Sequence, residues 1–296
     1  MTIKQMAILT DVTRCTGCEK CVAACQRDNQ LPPERPWRWL KSIDDLSSSR
    51  WTTIRRVRDA SGCHNIRRQC RHCLDPECVS VCIVGALHKS PQGAVLYDAD
   101  RCIGCRYCMI ACPWEIPRYS WEETVPFVQK CDFCYDRVVQ GGNQPACVDA
   151  CPHGATVFGE REELLQRAKQ TIAAHPERYV QTVFGEREVG GTSVLYISDI
   201  DLNLSDLDHP VRDPDPMPER TTKVLHQMPL VFVAMAGVMG GVHFIIKRRQ
   251  QLMAEEGKSH KPAAKGTAKD HEQPDDEAGE MPESAEADEK QEGDSE

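Results

Sequence analysis

From Met228 to Ile246 the chain reads MPLVFVAMAGVMGGVHFII, 19 residues in which His243 is the one polar side chain. As a helix this run is ~28 Å long, close to the ~30 Å hydrocarbon core of a bilayer. It predicts a single transmembrane helix within residues 225–249. A buried helix of a soluble domain is the competing reading, but nothing after the run could cover it. Pro229 falls in the first turn, where a missing N–H costs little. Ala236 and Gly240, and Gly237 and Gly241, place small residues four apart, a spacing that lets a second membrane helix approach closely. The alternative is that glycine is simply common in such spans.

Two weaker periodicities precede the span. Residues 160–174, EREELLQRAKQTIAA, set Leu164, Leu165, Ala168 and Ile172 on one helical face. Gly190 and Gly191 then mark a turn before a strand-like SVLYI at 193–197. The first ten residues, MTIKQMAILT, hold no long apolar run, so no signal peptide is expected there. Residues 201–224 are rich in proline and acids and predict an extended, poorly structured linker. Residues 250–296 predict a disordered acidic tail.

That tail changes the reading of charge. The net charge is −9, yet residues 270–296 alone carry 13 acidic residues and one lysine. The remainder is slightly positive, and no nucleic-acid partner is expected. Lys247, Arg248, Arg249, Lys258 and Lys261 follow the span, against Arg212, Arg220 and Lys223 before it. Positive residues stay in the cytoplasm, which predicts a cytoplasmic tail and a body on the other side of the membrane.

The chemistry lies in 17 cysteines, all between Cys15 and Cys151. Sixteen form four runs. Run one is Cys15, Cys18, Cys21 and Cys25. Run two is Cys70, Cys73, Cys78 and Cys82. Run three is Cys102, Cys105, Cys108 and Cys112, followed by Pro113. Run four is Cys131, Cys134, Cys147 and Cys151, followed by Pro152. A lone CxxC is ambiguous between zinc, redox disulfide and iron–sulfur chemistry, and a zinc ribbon stops at two such pairs. Three cysteines at i, i+3 and i+6 converge three thiolates on one cluster. The fourth, further along and often before proline, is expected to start a helix that points away and to ligate a second cluster. Run three, CxxCxxCxxxCP, matches this ferredoxin pattern throughout. Runs one and two carry Gln26 and Ile83 in place of the proline, and runs two and four carry insertions. Sixteen thiolates still divide into four [4Fe–4S] clusters with no open iron site, so no catalytic residue is expected on this chain.

These residues carry a resemblance. RCIGCRYCMIACPWEIPRY at 101–119, KCDFC at 130–134, PACVDACPHGA at 145–155 and VGGTSVLYI at 189–197 resemble the four-cluster iron–sulfur (beta) subunits of the dimethyl sulfoxide reductase superfamily. The likeness is to the membrane-anchored branch, which includes hydrogenase-2-type and respiratory formate dehydrogenase subunits. It implies an α+β fold of two pseudo-symmetric ferredoxin-like modules followed by one transmembrane helix. Residues 69–120 would form the inner module, and 7–30 with 121–160 the outer one, within a body over 1–200. It also implies a nested exchange of ligands. Cys102, Cys105 and Cys108 would bind with Cys82, and Cys70, Cys73 and Cys78 with Cys112. Cys15, Cys18 and Cys21 would bind with Cys151, and Cys131, Cys134 and Cys147 with Cys25. The function implied is electron transfer between a catalytic subunit, nickel–iron or molybdopterin, and an integral quinone-linked or cytochrome b subunit. Its place would be the periplasmic face of a bacterial cytoplasmic membrane. An uptake hydrogenase is the first expectation, and a formate dehydrogenase or other molybdoenzyme the alternative. A zinc adaptor and a stand-alone ferredoxin are the rivals from other classes.

A few residues remain. Cys63 stands outside the runs and reads as a buried, inert thiol. Arg50, Arg55, Arg56, Arg58, Arg67, Arg68 and Arg71 read first as a solvated basic face. If they act on a partner or on cluster potentials, Arg67 and Arg68 are the better candidates, since they abut run two. His226 and His243 bracket the span and are expected to make interfacial or interhelical hydrogen bonds rather than to bind haem. Trp37, Trp39 and Trp51 read as packing or interface residues. No Walker A, GxGxxG or CxxCH motif is present, so no nucleotide, flavin or c-type haem is expected.

Overall fold

The structure, a computed structural model, describes residues 4–33, 46–60, 62–121, 123–202 and 214–259. Trp37 and Trp39, linker residues 203–213 and tail residues 260–296 lie outside the described residues. The chain divides into two units, 1–232 and 233 onward.

The first strand is the middle of a sheet. β1 (Met6–Asp11) is buried from Ala7 to Thr10 on both faces. α1 (Lys20–Asp28) follows the first cysteines. β2 (Thr53–Asp59) and β3 (Gly62–Arg68) form an antiparallel hairpin in register Thr53↔Arg68. α2 (Glu77–Ser80), the β4 (Leu87–Lys89) and β5 (Val95–Tyr97) hairpin and α3 (Tyr107–Ala111) build the second and third runs. β6 (Arg118–Tyr119) pairs with β7 (Val128–Gln129) and carries the chain to run four. That run contains α4 (Tyr135–Val139) and α5 (Ala146–Asp149).

β8 (Thr156–Glu160) then returns to β1 in antiparallel register, Met6↔Glu160 to Thr10↔Thr156. α6 (Arg161–Ala174) crosses to β9 (Val194–Ile197), which lies parallel on the other side of β1. The sheet order is β8-β1-β9. Glu162 and Glu163 complement the positive N-terminal end of α6. Leu164, Leu165, Ala168 and Ile172 bury its inner face against Ala7, Leu9, Leu195 and Ile197. Leu164→Ala should therefore cost about 2–4 kcal/mol through the cavity it leaves. A denaturation midpoint unchanged from the parent would contradict this packing. Gly190 and Gly191 turn into β9 with φ of +76° and +93°. A Cβ on Gly191 would lie 2.8 Å from the Glu186 carbonyl oxygen, so that turn requires glycine.

The main core joins Ile8, Trp114, Phe133, Phe184, Val194 and Tyr196 to four cysteines, Cys70, Cys73, Cys131 and Cys147. The cysteines are thus part of the hydrophobic interior and not an appendage to it.

Three expectations need correction. Residues 217–224, read as linker, fall in α7 (Met217–Leu225), with proline at its start and Met217 packed on the core. α8 (Met228–Ser259) continues well beyond the apolar run, because residues 247–256, KRRQQLMAEE, are good helix formers. Cys63 is exposed near the β2–β3 turn, opposite Arg58. Among the described residues, one helical stretch, Met217–Glu255, which takes in α7 and most of α8, is long and apolar enough to cross a membrane, and none of its apolar window is buried. Val231, Phe232 and Val238 are among its exposed side chains.

Candidate functional site

The sixteen run cysteines occupy two repeated local designs. In runs one and three an aspartate caps a 3₁₀ turn: Asp11 accepts from the Thr13 amide and Asp98 from the Asp100 amide. The turn ends on Cys15 in one and Cys102 in the other. Gly17 and Gly104 then take φ near +70°, and Glu19 and Arg106 are left-handed just before α1 and α3. Chain reversals of this kind expose amides toward sulfur; the Gly104 amide donates to Cys102 Sγ at 3.4 Å. Runs two and four share a different design. Pro76 opens α2 before Cys78, and Pro145 opens α5 before Cys147. His72 and Phe133, one residue before Cys73 and Cys134, are both left-handed, and their rings meet at a 56° tilt with centroids 4.6 Å apart.

The helix does not start at the fourth cysteine, as expected from the sequence. α1 contains both Cys21 and Cys25, and α3 contains Cys108 and ends on Cys112. One helical turn separates the third and fourth sulfurs, and that turn carries the fourth away from its own run.

Long-range pairing decides which thiols meet. The β1–β8 ladder brings the stretches after β1 and before β8 together, so Cys151 lies among Cys15, Cys18 and Cys21. These four line one cleft of about 400 Å³ together with Thr10, Ile54, Arg67 and Thr156. α1 packs on α5, which sets Cys25 beside Cys134 and Cys147, and Cys131 beside Cys25 and Cys134. Cys73 and Cys78 lie near Cys70 and Cys112. Cys108 lies near Cys102, Cys105 and Cys82. Neighbouring sets also touch electrostatically: Cys21 feels Cys147, and Cys131 feels Cys70.

Burial pushes several of these thiols up. Cys21 and Cys108 rise to about 11, each through burial first. Cys73 and Cys134 rise to about 12 for the same first reason. Cys25, Cys78 and Cys131 are raised further. Burial also pushes Cys151 upward, but amides of Ala155, His153 and Thr156 and the Thr156 hydroxyl outweigh it and leave that thiol below its ordinary value. Thiols that resist ionisation in this way are poor isolated nucleophiles, and a cationic core bound to them would have to release their protons. Among the described residues no three Cys, His, Asp or Glu side chains converge as on a single ion. Sets of sulfur donors fit a corner-ligated iron–sulfur cluster.

Donors to sulfur surround the sets. The Phe133 amide reaches Cys131 Sγ and the Leu87 amide reaches Cys82 Sγ, each at 3.4 Å. Tyr97 and Tyr119 hydroxyls lie within hydrogen-bond reach of Cys102. The buried Trp114 Nε1–H donates to Cys73 Sγ at 3.3 Å. Partners outside the ligand shell commonly contribute 10–100-fold to metal retention. Trp114→Phe, which keeps most of the apolar volume, should speed iron loss from the complex to a chelator by about tenfold. An unchanged rate would show that this hydrogen bond does not support the site.

The basic stretch departs from the expected solvated face. Arg67, Arg68 and Arg71 are buried. Arg68 donates to the Trp114 carbonyl at 3.1 Å, and the Arg71 guanidinium lies 4.5 Å from the Tyr196 ring centroid. Arg56, at the hairpin's outer end, stays exposed and meets Glu19 at 3.3 Å. The sequence held one signal for this: the arginines nearest Cys70 are the ones that turn inward. Trp51 packs on the core and donates to the Ser48 carbonyl.

Comparison with known proteins agrees with this architecture. A family described as "4Fe-4S dicluster domain" matches residues 63–161. Hydrogenase-2 operon protein HybA of Escherichia coli O157:H7 is 34% identical over 279 residues, covering 82% of this chain and 84% of that protein. The B subunit of the anaerobic dimethyl sulfoxide reductase of Escherichia coli K12 is 39% identical, covering 58% of this chain and 82% of its own length. The iron-sulfur subunit of the nitrate-inducible formate dehydrogenase of the same organism is 37% identical, covering 65% and 68%. With its cysteine runs so arranged and these relatives matched over most of their length, the chain belongs to the iron–sulfur subunits of the dimethyl sulfoxide reductase superfamily.

Proposed function

We propose that this chain is the electron-transfer subunit of a membrane-bound respiratory oxidoreductase, linking a catalytic subunit to a membrane quinone-linked subunit. The observation that carries the reading is the continuity of the thiol sets. Cys21 against Cys147 links the first set to the second, and Cys131 against Cys70 links the second to the third. α2 packs on α3 and links the third to the fourth. Bound there, [4Fe–4S] clusters supply one-electron transfer.

The ligand sets of this proposal are Cys15, Cys18, Cys21 and Cys151; Cys25, Cys131, Cys134 and Cys147; Cys70, Cys73, Cys78 and Cys112; and Cys82, Cys102, Cys105 and Cys108. The repeated turns of runs one and three, and of runs two and four, support two pseudo-symmetric ferredoxin-like modules. One spans 69–120 and the other joins 7–30 to 121–160, in a body over 1–200. The chain itself holds, buries and hydrogen-bonds the sulfur ligands and carries no catalytic residue. Residues 225–249 anchor it, with the body periplasmic and the tail cytoplasmic by the positive charges of Lys247, Arg248 and Arg249. An uptake hydrogenase is favoured because HybA matches more of both chains than the formate dehydrogenase subunit does.

The test is purification of the native complex in mild detergent through this chain, with metal analysis and identification of the large subunit. Nickel in a hydrogenase large subunit is the expected result. Molybdenum or tungsten with a pterin-binding subunit would move the chain to a molybdoenzyme. A preparation free of iron and acid-labile sulfide would refute the electron-transfer reading.

A further inference from the structure

Arg67 poses a physical problem that the ligand sets alone do not solve. It sits near the end of β3 with 1% of its surface exposed. Its carbonyl is engaged by the Tyr196 hydroxyl at 2.8 Å. Yet Nε, Nη1 and Nη2 are all buried with no hydrogen-bond partner among the described residues. An unpaired buried guanidinium costs several kcal/mol, so a fold that keeps one has something negative to set against it. No carboxylate is prominent around it. Its principal electrostatic neighbours are Cys147, Cys21, Tyr196 and Cys131, and Cys15 and Cys25 also feel it. Three of these cysteines, Cys25, Cys131 and Cys147, fall in one thiol set, and Cys15 and Cys21 fall in the next. The side chain also lines the cleft formed by Cys15, Cys18, Cys21 and Cys151. Burial works against its charge, but the surrounding thiols hold the guanidinium above its ordinary value.

We infer that Arg67 is a charge bridge between two adjacent iron–sulfur centres, its guanidinium donating to sulfur of the cage held by Cys15, Cys18, Cys21 and Cys151 and to that held by Cys25, Cys131, Cys134 and Cys147. The inference rests on the ligand sets proposed above. A planar fork with five N–H donors in fixed directions can face acceptors on two sides at once. Cages with four thiolate ligands are net negative, and each gains further negative charge on reduction. A fixed cation between them stabilises the added electron on either side, and hydrogen bonds to sulfur act in the same direction. Arg67 is a positioning and tuning residue. It separates these two centres in potential from the two that it does not touch.

The test uses the detergent-solubilised complex carrying the full-length chain, titrated electrochemically with EPR detection. In Arg67→Gln, two of the four centres should become harder to reduce. At a potential where they are half reduced in the parent, their reduced-to-oxidised ratio should fall about tenfold, equivalent to ~59 mV for a one-electron couple, while the other two stay in place. Arg67→Lys should retain part of the shift by keeping the charge. Four unmoved midpoints in Arg67→Gln, with iron and sulfide at parental levels, would overturn the proposal. If Arg67→Gln loses iron, the parent complex labelled with [15N]arginine decides. A 15N hyperfine coupling at two reduced centres supports the bridge, and its absence at all four overturns it. A parent complex without iron or sulfide would instead sink the functional reading, which separates the two failures.

Discussion

Alanine at Cys147 should cost this protein more than alanine at Cys105, although both are proposed as ligands. Cys105 is exposed, on the loop before α3. Its loss should remove about one cluster's share of iron out of four and leave the remaining structure standing. Cys147 is 6% exposed, belongs to the main core and lies on α5, which packs on α1. α1 in turn carries Cys21 of one set and Cys25 of another. A centre that fails to assemble at Cys147 therefore loosens the helix pair that holds two sets. Iron should fall by about half, with increased protease sensitivity, because ligand binding and folding are coupled at such sites. Iron and acid-labile sulfide per chain, with limited proteolysis of the purified complex, measure both. Equal losses in the two variants would show that the sets fold independently. Parental iron in Cys105→Ala would show that Cys105 is not a ligand.

The same contrast shows what could be read from the sequence. The spacing inside a run is a local matter, since three cysteines in seven residues can converge only if the loop turns tightly. The runs were therefore legible, as were α6 from its 164, 165, 168, 172 face and β9 from SVLYI. Which run meets which is a matter of tertiary pairing. Cys15 reaches Cys151 because β1 pairs with β8, and β1 was not visible as a strand: MAILTD is a central strand buried on both faces and shows no alternation. The basic stretch misled for a related reason. Arginines normally mark a solvated face, but here Arg67 faces cysteine thiols, Arg68 meets the Trp114 carbonyl and Arg71 lies over aromatic rings, so these three go inward while Arg56 and Arg58 stay out. Cys63 misled in the opposite direction. A lone cysteine is usually buried, but its place beside Gly62, in a turn open to solvent, exposes it. The helix over 217–225 was hidden by the prolines around its start, of which Pro216 in fact caps it and Pro218 falls in its first turn.

Deleting residues 228–246 should move the chain out of the membrane without touching its iron. All seventeen cysteines precede residue 152, and the apolar stretch contributes nothing buried to the structure. The deleted run holds nine Leu, Ile, Val and Phe residues. At ~0.3–0.6 kcal/mol each, they favour insertion by roughly 3–5 kcal/mol, on the order of a thousandfold in partitioning. No charged side chain in the run opposes them; His243 is its one titratable group. After fractionation and a high-salt wash, the shortened chain should appear in the soluble fraction with parental iron and sulfide per chain. Retention in the membrane would show that contact with a membrane-embedded partner, and not the helix, is the main anchor. The pairs Ala236/Gly240 and Gly237/Gly241 allow a graded version of the test. A Cβ at Gly237 or Gly241 would meet no atom of another segment within 4 Å, and leucine is apolar, so Gly237→Leu with Gly241→Leu should leave insertion intact. They should nonetheless weaken association with the membrane subunit if the small-residue face is where another helix packs. Release of the chain by these two substitutions alone would mean that anchoring depends on that helix contact.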